Sequence, residues 1–173
     1  MMKTHLKNLR DLIFKGLFVY ALAGGIYLLI ESFFRGYTFL EMYYLAGFLG
    51  VLCLLLNEYA FTYNTDFILQ VLINTVLGTL AEGTCGYFFN YDFHIWDYRG
   101  LPGTFFNQQC NVIFVLAWLL IYTFVIPLLD YIDWKVFHYM EDTPPYYMIL
   151  VAKYSNSRID SFYISKKTFT YIL

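Results

Sequence analysis

The chain is short of charge. Asp, Glu, Lys and Arg make up only 14% of its 173 residues, whereas a soluble domain usually carries about 25%. Residues 101–129 contain none of the four, and a helix needs only about 20 apolar residues to cross a bilayer. These shortages argue against a soluble domain and predict an integral membrane protein.

Motifs for several activities are also missing. No phosphate-binding GxxxxGK[ST] loop occurs, so an ATPase would have to be a separate partner. The three cysteines have no CxxC or Cys/His spacing and are interpreted as small buried hydrophobes, with no metal and no cofactor predicted. No Ser/His/Asp or Cys/His arrangement suggests catalysis, so no catalytic residue is assigned and an enzyme is not favoured. The net charge of −2 gives no sign of nucleic-acid binding.

Apolar and aromatic residues dominate the composition. Hydrophobic residues make up 60% and aromatic residues 23% of the chain, and the mean hydropathy is +0.53. Trp and Tyr favour the membrane–water interface. The apolar runs predict an all-α, four-helix membrane bundle within residues 1–140, followed by a tail at 141–173, with spans at about 16–34, 40–57, 67–89 and 110–129.

The basic residues predict the orientation in the membrane. Nine of the eleven lie on the side shared by the N-terminus, the second loop and the C-terminus. Lys and Arg in short flanks stay cytoplasmic, so both termini and the tail are expected in the cytoplasm and the loop at 90–109 outside. Lys15 reads as part of a basic start, and Asp130 and Asp133 as an ordinary interfacial exit. The tail's apolar run at 146–152 is too short to span as a helix and predicts a short strand or an interfacial segment.

Glu82 is the strongest polar candidate, because it lies inside the third predicted span. Gln70, Asn74, Gly78, Glu82 and Gly86 recur every four residues, a stripe that should face protein or a wet cavity. Its small members leave room for water or a second helix. An ionised carboxylate in the membrane costs about 2.5–3.5 kcal/mol. Glu82 is therefore an ion- or proton-responsive group in a pathway, with Asn74 beside it, or the partner in an interhelical hydrogen bond.

The loop at 90–109 holds a second candidate. Asp97 lies between two aromatic residues expected at the interface, Trp96 and Tyr98, and two positions before Arg99. It either caps the re-entering segment or pairs with Arg99, or else faces a substrate.

Two further polar residues complete the predicted polar centre. Glu31 stands four positions before Arg35, on the same helical face, which indicates either a structural pair at the interface or a supporting functional acid. Gln108, just before the fourth span, is expected to hydrogen-bond between helices.

Small residues in the first two spans predict self-association. Ala21 and Gly25, and Ala46 and Gly50, have the small-xxx-small spacing that lets helices approach closely in a membrane. A homo-oligomer is therefore expected.

Several stretches together resemble a family of small bacterial membrane proteins known as type IV ABC-transporter permeases. The matching residues are GGIYLLIESFFRGYTF at 24–39, LNE at 56–58, Glu82 before a glycine, WDY at 96–98, LP at 101–102, and Gln108 with Cys110. The chain departs from the family pattern at Arg99, Thr104 and Asn107, where Ser, Asn and Gly are usual.

The resemblance implies a permease-like or channel-like component of a bacterial cell membrane, with an unknown substrate and with any ATPase as a separate subunit. The alternative is a membrane effector or scaffold that acts by oligomerising or by permeabilising the membrane.

Overall fold

The computed structural model describes residues 9–62, 65–137, 147–151 and 160–164. Four helices form its framework, and each is long and apolar enough to cross a membrane. This finding confirms the four predicted spans as helices. Their bounds are α1 (Leu9–Arg35), α2 (Leu40–Leu55), α3 (Phe67–Phe89) and α4 (Val112–Ile132).

Local sequence explains where the helices begin and end. Asp66 caps α3 by accepting a hydrogen bond from the Leu69 N–H at 3.0 Å, and Asn111 caps α4 by accepting from the Ile113 N–H at 2.8 Å. Such caps satisfy N–H groups that have no partner in the first helical turn. One π-helical turn continues α2 through Leu56–Ala60, and another continues α4 through Asp133–Phe137.

The helices α1 and α2 pack closely through small residues. A Cβ atom at Gly50 would lie 2.6 Å from the Ala23 Cβ, and one at Gly47 would lie 2.8 Å from the Tyr20 ring. The small residues of the second span are therefore used within the chain. A Cβ at Gly25 would meet nothing within 4 Å, so the Ala21 and Gly25 face stays open and self-association stays a prediction.

The bundle has two distinct ends. At the tail end, Lys15 of α1 forms ion pairs with Glu58, which follows α2, and Asp133, which follows α4. At the loop end, the chain between α3 and α4 folds back onto the helices. This loop contains a short antiparallel pair, β1 (Thr104–Phe105) with β2 (Cys110–Asn111).

A hairpin from the tail lies at the tail end. Strand β3 (Tyr147–Val151) pairs antiparallel with β4 (Asp160–Ile164). The Tyr147 and Phe67 rings lie 4.9 Å apart, which places the start of β3 against the start of α3. The predicted short strand in the run at 146–152 is thus confirmed over 147–151. Apart from these two strands, the predicted tail at 141–173 lies outside the described residues.

Candidate functional site: a buried acid beneath an aromatic loop

Glu82 lies inside the bundle and accepts hydrogen bonds from two neutral donors. It is four residues beyond the middle of α3, about 6 Å towards the loop end, and only 4% exposed. The Tyr98 hydroxyl donates to Oε1 at 2.7 Å, and the Trp118 indole N–H donates to Oε2 at 2.8 Å. Trp118 belongs to α4, so the predicted interhelical hydrogen bond is present. A pathway role for the same group stays a prediction.

The charge of Glu82 has no direct counter-ion. No Lys, Arg or His of the described residues forms a salt bridge with it; its hydrogen-bond partners are Tyr98 and Trp118. Neutral donors offset a buried charge less than a cation does. A proton or another cation arriving at this carboxylate would therefore relieve an electrostatic cost.

Asn90 builds the loop that covers Glu82. Its Oδ1 accepts from the Ile95 N–H at 2.8 Å, and its Nδ2 donates to the Trp96 carbonyl at 2.6 Å and to Gln109 Oε1 at 3.0 Å. Gln109 returns a bond from Nε2 to the Asn90 carbonyl at 2.9 Å. Buried amides bonded at every polar atom fix a loop in one conformation. This network positions Tyr98 over Glu82.

Glycines on α3 let the chain between α3 and α4 pack closely against this helix. A Cβ at Gly86 would lie 2.5 Å from Gln109 Oε1, and one at Gly83 would lie 2.7 Å from the Phe106 ring and 3.0 Å from Cys110 Sγ. The small residues near Glu82 were expected to leave room for water or a second helix. The protein's own loop fills that room at these two glycines.

The aromatic residues beside Asp97 are buried within the protein. Trp96 and Tyr98 were expected at the membrane surface, but both side chains are buried. The Trp96 indole N–H donates to the Gln109 carbonyl at 3.0 Å, and the Tyr98 ring stacks on Phe114 with centroids 4.5 Å apart. Both side chains thus contact the protein itself, and their position at the membrane interface stays a prediction.

Asp97 points away from this centre and pairs with Arg99. Arg99 donates from Nε to Oδ1 at 2.9 Å and from Nη2 to Oδ2 at 2.7 Å. These hydrogen bonds lower the pKa of Asp97 to about 2. Both side chains are exposed, and the Arg99 guanidinium lies over the Phe93 ring at 4.3 Å. The predicted pair is thus present, whereas a substrate-facing role for Asp97 stays a prediction.

Glu31 forms a second polar layer at the loop end. It accepts from Arg35 Nη1 at 2.6 Å and from the Thr38 hydroxyl. Arg35 also donates to the Ile95 carbonyl at 2.9 Å, so the pair ties α1 to the loop. The predicted Glu31–Arg35 pair is thus present, and a supporting functional role for Glu31 stays a prediction. Tyr27 of α1 lies within electrostatic reach of both Glu31 and Glu82.

Asn74 and Gln108 lie apart from the Glu82 carboxylate. Asn74 is buried two turns away, and its Nδ2 donates to the Gln70 carbonyl at 2.9 Å. Gln108 is exposed and has a φ of 63°, a left-handed conformation that side chains other than glycine seldom adopt. That turn directs the neighbouring Gln109 inward, so Gln109 contacts α3 instead of Gln108.

Sequence reasoning missed a second polar cluster at the tail end. Lys15 has no exposed surface and pairs with Glu58 and Asp133. Asp130 accepts from Asn57 Nδ2 at 2.6 Å. These residues lie at the borders of separate spans and looked like ordinary flanks. The order of the spans could nevertheless have predicted this cluster. Four spans that cross in alternating directions bring the start of the first span and the ends of the second and fourth spans to the same side.

Comparison with known proteins adds no relative. No family model, no curated protein and no solved structure matches the chain. The resemblance to type IV ABC-transporter permeases therefore stays a prediction.

Proposed function

We propose that the chain is a permease-like or channel-like integral membrane component in which Glu82 is the ion-responsive group and the loop at 90–109 controls access to it. One observation carries the proposal. The Glu82 carboxylate is buried in a helix long and apolar enough to span a membrane, without a counter-ion among the described residues, and one of its two donors belongs to the loop.

An acid is a costly choice for a purely structural contact. A glutamine could accept the Trp118 bond and donate to the Tyr98 oxygen without placing a charge in the membrane, where a carboxylate costs about 2.5–3.5 kcal/mol. Unlike a glutamine, Glu82 can switch between a charged and a neutral form, and the residues that bond to it can respond to that switch.

Protonation of Glu82 would couple to the loop. A protonated carboxyl group keeps one acceptor oxygen and gains a donor. The Trp118 N–H can only donate a hydrogen bond, so it would stay bonded to the acceptor oxygen of Glu82. The bond with Tyr98 would have to reverse or break, and Tyr98 links Glu82 to the loop. The charge state of Glu82 therefore biases whether the loop stays closed.

The distribution of basic residues and the number of helices support an orientation in the membrane and an oligomeric state. The split of basic residues supports cytoplasmic termini and an outward loop, and the family resemblance supports a bacterial cell membrane. Four helices are few for a solute path, which supports a homo-oligomer or a second subunit. Since the chain lacks an ATP-binding loop, any ATPase would be a separate chain.

A membrane effector or scaffold is the second candidate. The observation that favours it is the exposure of the outer helices, since only 17% of the most apolar stretch of α1 and 22% of that of α4 are buried. Such surfaces contact lipid or further copies. An effector that permeabilises the membrane would pass many solutes without discrimination, whereas a permease-like component would be selective and depend on Glu82.

Glu82→Gln tests the leading proposal. The variant keeps the size and both hydrogen bonds but cannot ionise, so we expect normal assembly and loss of flux of protons, K⁺, Na⁺ or small solutes in liposomes. Glu41→Gln, a half-buried acid at the start of α2, is the matched control and should retain flux. If Glu82→Gln has full flux, and Glu82→Leu only loses about 0.6–2 kcal/mol of stability, Glu82 is a hydrogen-bond partner alone.

A further inference from the structure

We propose that the species moved through this bundle is the proton, and that Tyr122 relays it between Glu82 and a second buried acid, Asp130. This inference rests on the function proposed above and names its substrate.

The two acids share three features at opposite ends of the bundle. Each is 4% exposed. Glu82 accepts from the Tyr98 hydroxyl of the loop, and Asp130 accepts at 2.6 Å from the Tyr147 hydroxyl of the tail hairpin. Each also accepts a bond from an N–H donor on a neighbouring helical segment. Both ends thus present a buried carboxylate covered by a tyrosine from a non-helical segment.

The groups around the acids suit a proton better than a metal ion. A metal cation requires several ligands with free lone pairs, but the N–H groups of Trp118 and Asn57 offer hydrogens instead. The described residues contain no group of three or more His, Cys, Asp or Glu side chains that could hold a metal ion. A proton needs one acceptor oxygen, which each site supplies.

Tyr122 occupies the interior between the two acids. It lies on α4 one turn from Trp118, with the two rings stacked at 5.9 Å. A Cβ at Gly78, one turn from Glu82 on α3, would lie 3.0 Å from the Tyr122 hydroxyl. Towards the tail end, Tyr122 is two turns from Asp130, about 12 Å along α4.

The Tyr122 hydroxyl forms no hydrogen bond with the described residues, although the residue as a whole is only 3% exposed. The hydroxyl oxygen itself keeps a little accessible surface, where a water molecule can bond to it. A phenylalanine would fill the same space but could neither accept nor donate a proton. The thiol of Cys53 on α2 lies within electrostatic reach of both Tyr122 and Asp130.

Protonated Glu82 gives its proton, through water molecules that span the helical turn between them, to a lone pair of the Tyr122 oxygen. The Tyr122 hydroxyl releases its own proton, through further water molecules along α4, to the Asp130 carboxylate and then rotates back. One transfer leaves Glu82 ionised and Asp130 protonated, and uptake of a proton by Glu82 at the loop end and its release by Asp130 at the tail end restore both acids. No electrons are exchanged. Tyr27 of α1 and Cys110 of the loop are further titratable groups within electrostatic reach of Glu82.

Tyr122→Phe is the decisive variant, because it removes the hydroxyl and keeps the ring that stacks on Trp118. The whole chain in liposomes with a trapped pH-sensitive dye, a K⁺ gradient and valinomycin reports proton flux. We expect flux to fall about tenfold or more. Tyr44→Phe, an exposed tyrosine on α2, should leave the flux unchanged. Asp130→Asn is a second variant and should lower the flux as Tyr122→Phe does.

The possible outcomes separate this inference from the function on which it rests. Wild-type K⁺ or Na⁺ flux equal to proton flux overturns the proton assignment, while loss of that flux in Glu82→Gln would still support a permease-like function. Full proton flux in folded Tyr122→Phe and Asp130→Asn overturns the relay alone. Wild-type protein that passes nothing above protein-free liposomes overturns both proposals.

Discussion

Lys15 shows what a single side chain does in this bundle. Its ammonium group has no exposed surface and pairs with carboxylates from two other segments, at Glu58 and Asp133. A cation at this position offsets two buried negative charges. It therefore holds the tail ends of three helices together.

Replacement of Lys15 by methionine should destabilise the protein by about 3–5 kcal/mol, because removal of one partner leaves buried charge uncompensated. Unfolding in mixed detergent micelles, followed by circular dichroism, measures the loss. Lys135→Met is the matched control, since Lys135 is exposed and lies over the Trp134 ring at 3.9 Å, and it should change stability little. Equal stability of the two variants would contradict the role of Lys15.

Single residues were predictable where one acid stood out against an apolar span. Glu82 and the Glu31–Arg35 pair could be found in this way, since their signals lie within one helix. Asn90 and Gln109 could not, because their importance comes from contacts made only after the loop folds back. The bond from Arg35 to the Ile95 carbonyl joins residues 60 positions apart, and no local spacing encodes it.

At the scale of elements, α3 is long and apolar enough to span a membrane and also provides the surface on which the loop packs. Gly83 and Gly86 let Phe106, Cys110 and Gln109 approach its backbone. The helix therefore positions Glu82 and also the segment that covers it.

Gly86→Ala should test this close fit. Its new Cβ would lie 2.5 Å from Gln109 Oε1, and overpacking of this kind costs about 1–3 kcal/mol. The loop should become more open to protease in detergent. Gly25→Ala, where a Cβ meets nothing within 4 Å, should instead stabilise α1 by up to about 1 kcal/mol. If Gly86→Ala keeps the stability and protease resistance of the wild type, the loop does not depend on the close contact between Gly86 and Gln109.

The elements themselves were predictable to different degrees. Long apolar runs gave the four helices, and α3 matches its predicted bounds at 67–89. The helix α1 extends from Leu9, beyond the predicted span at 16–34, and so includes Lys15 with its acidic partners. The fold of the loop depends on side-chain contacts across the bundle, and hydropathy gives no information on them.

At the scale of the whole molecule, the bundle has two unlike ends, and a bilayer would place them on opposite sides. The distribution of basic residues predicts that the tail end faces the cytoplasm. The loop and the Glu82 centre would then be nearer the outside.

Single-cysteine labelling in a cysteine-free background measures this orientation. Tyr91→Cys is the best site in the loop, since Tyr91 is 75% exposed whereas its neighbour Asn90 is fully buried. We expect an impermeant maleimide to label it from outside intact cells. Tyr59→Cys, at the exposed end of the second span, should react only after the cells are opened. The reverse pattern would invert the orientation.

The measurement that tests most directly whether the loop controls the Glu82 centre is flux through Tyr98→Phe in liposomes. This change removes the hydroxyl that bonds Glu82 and keeps the ring stacked on Phe114. Tyr91→Phe, at an exposed loop position, is the control. We predict faster flux than wild type for Tyr98→Phe, because the closed loop loses its bond to the acid. Flux equal to wild type, or reduced as in Glu82→Gln, would contradict control by the loop.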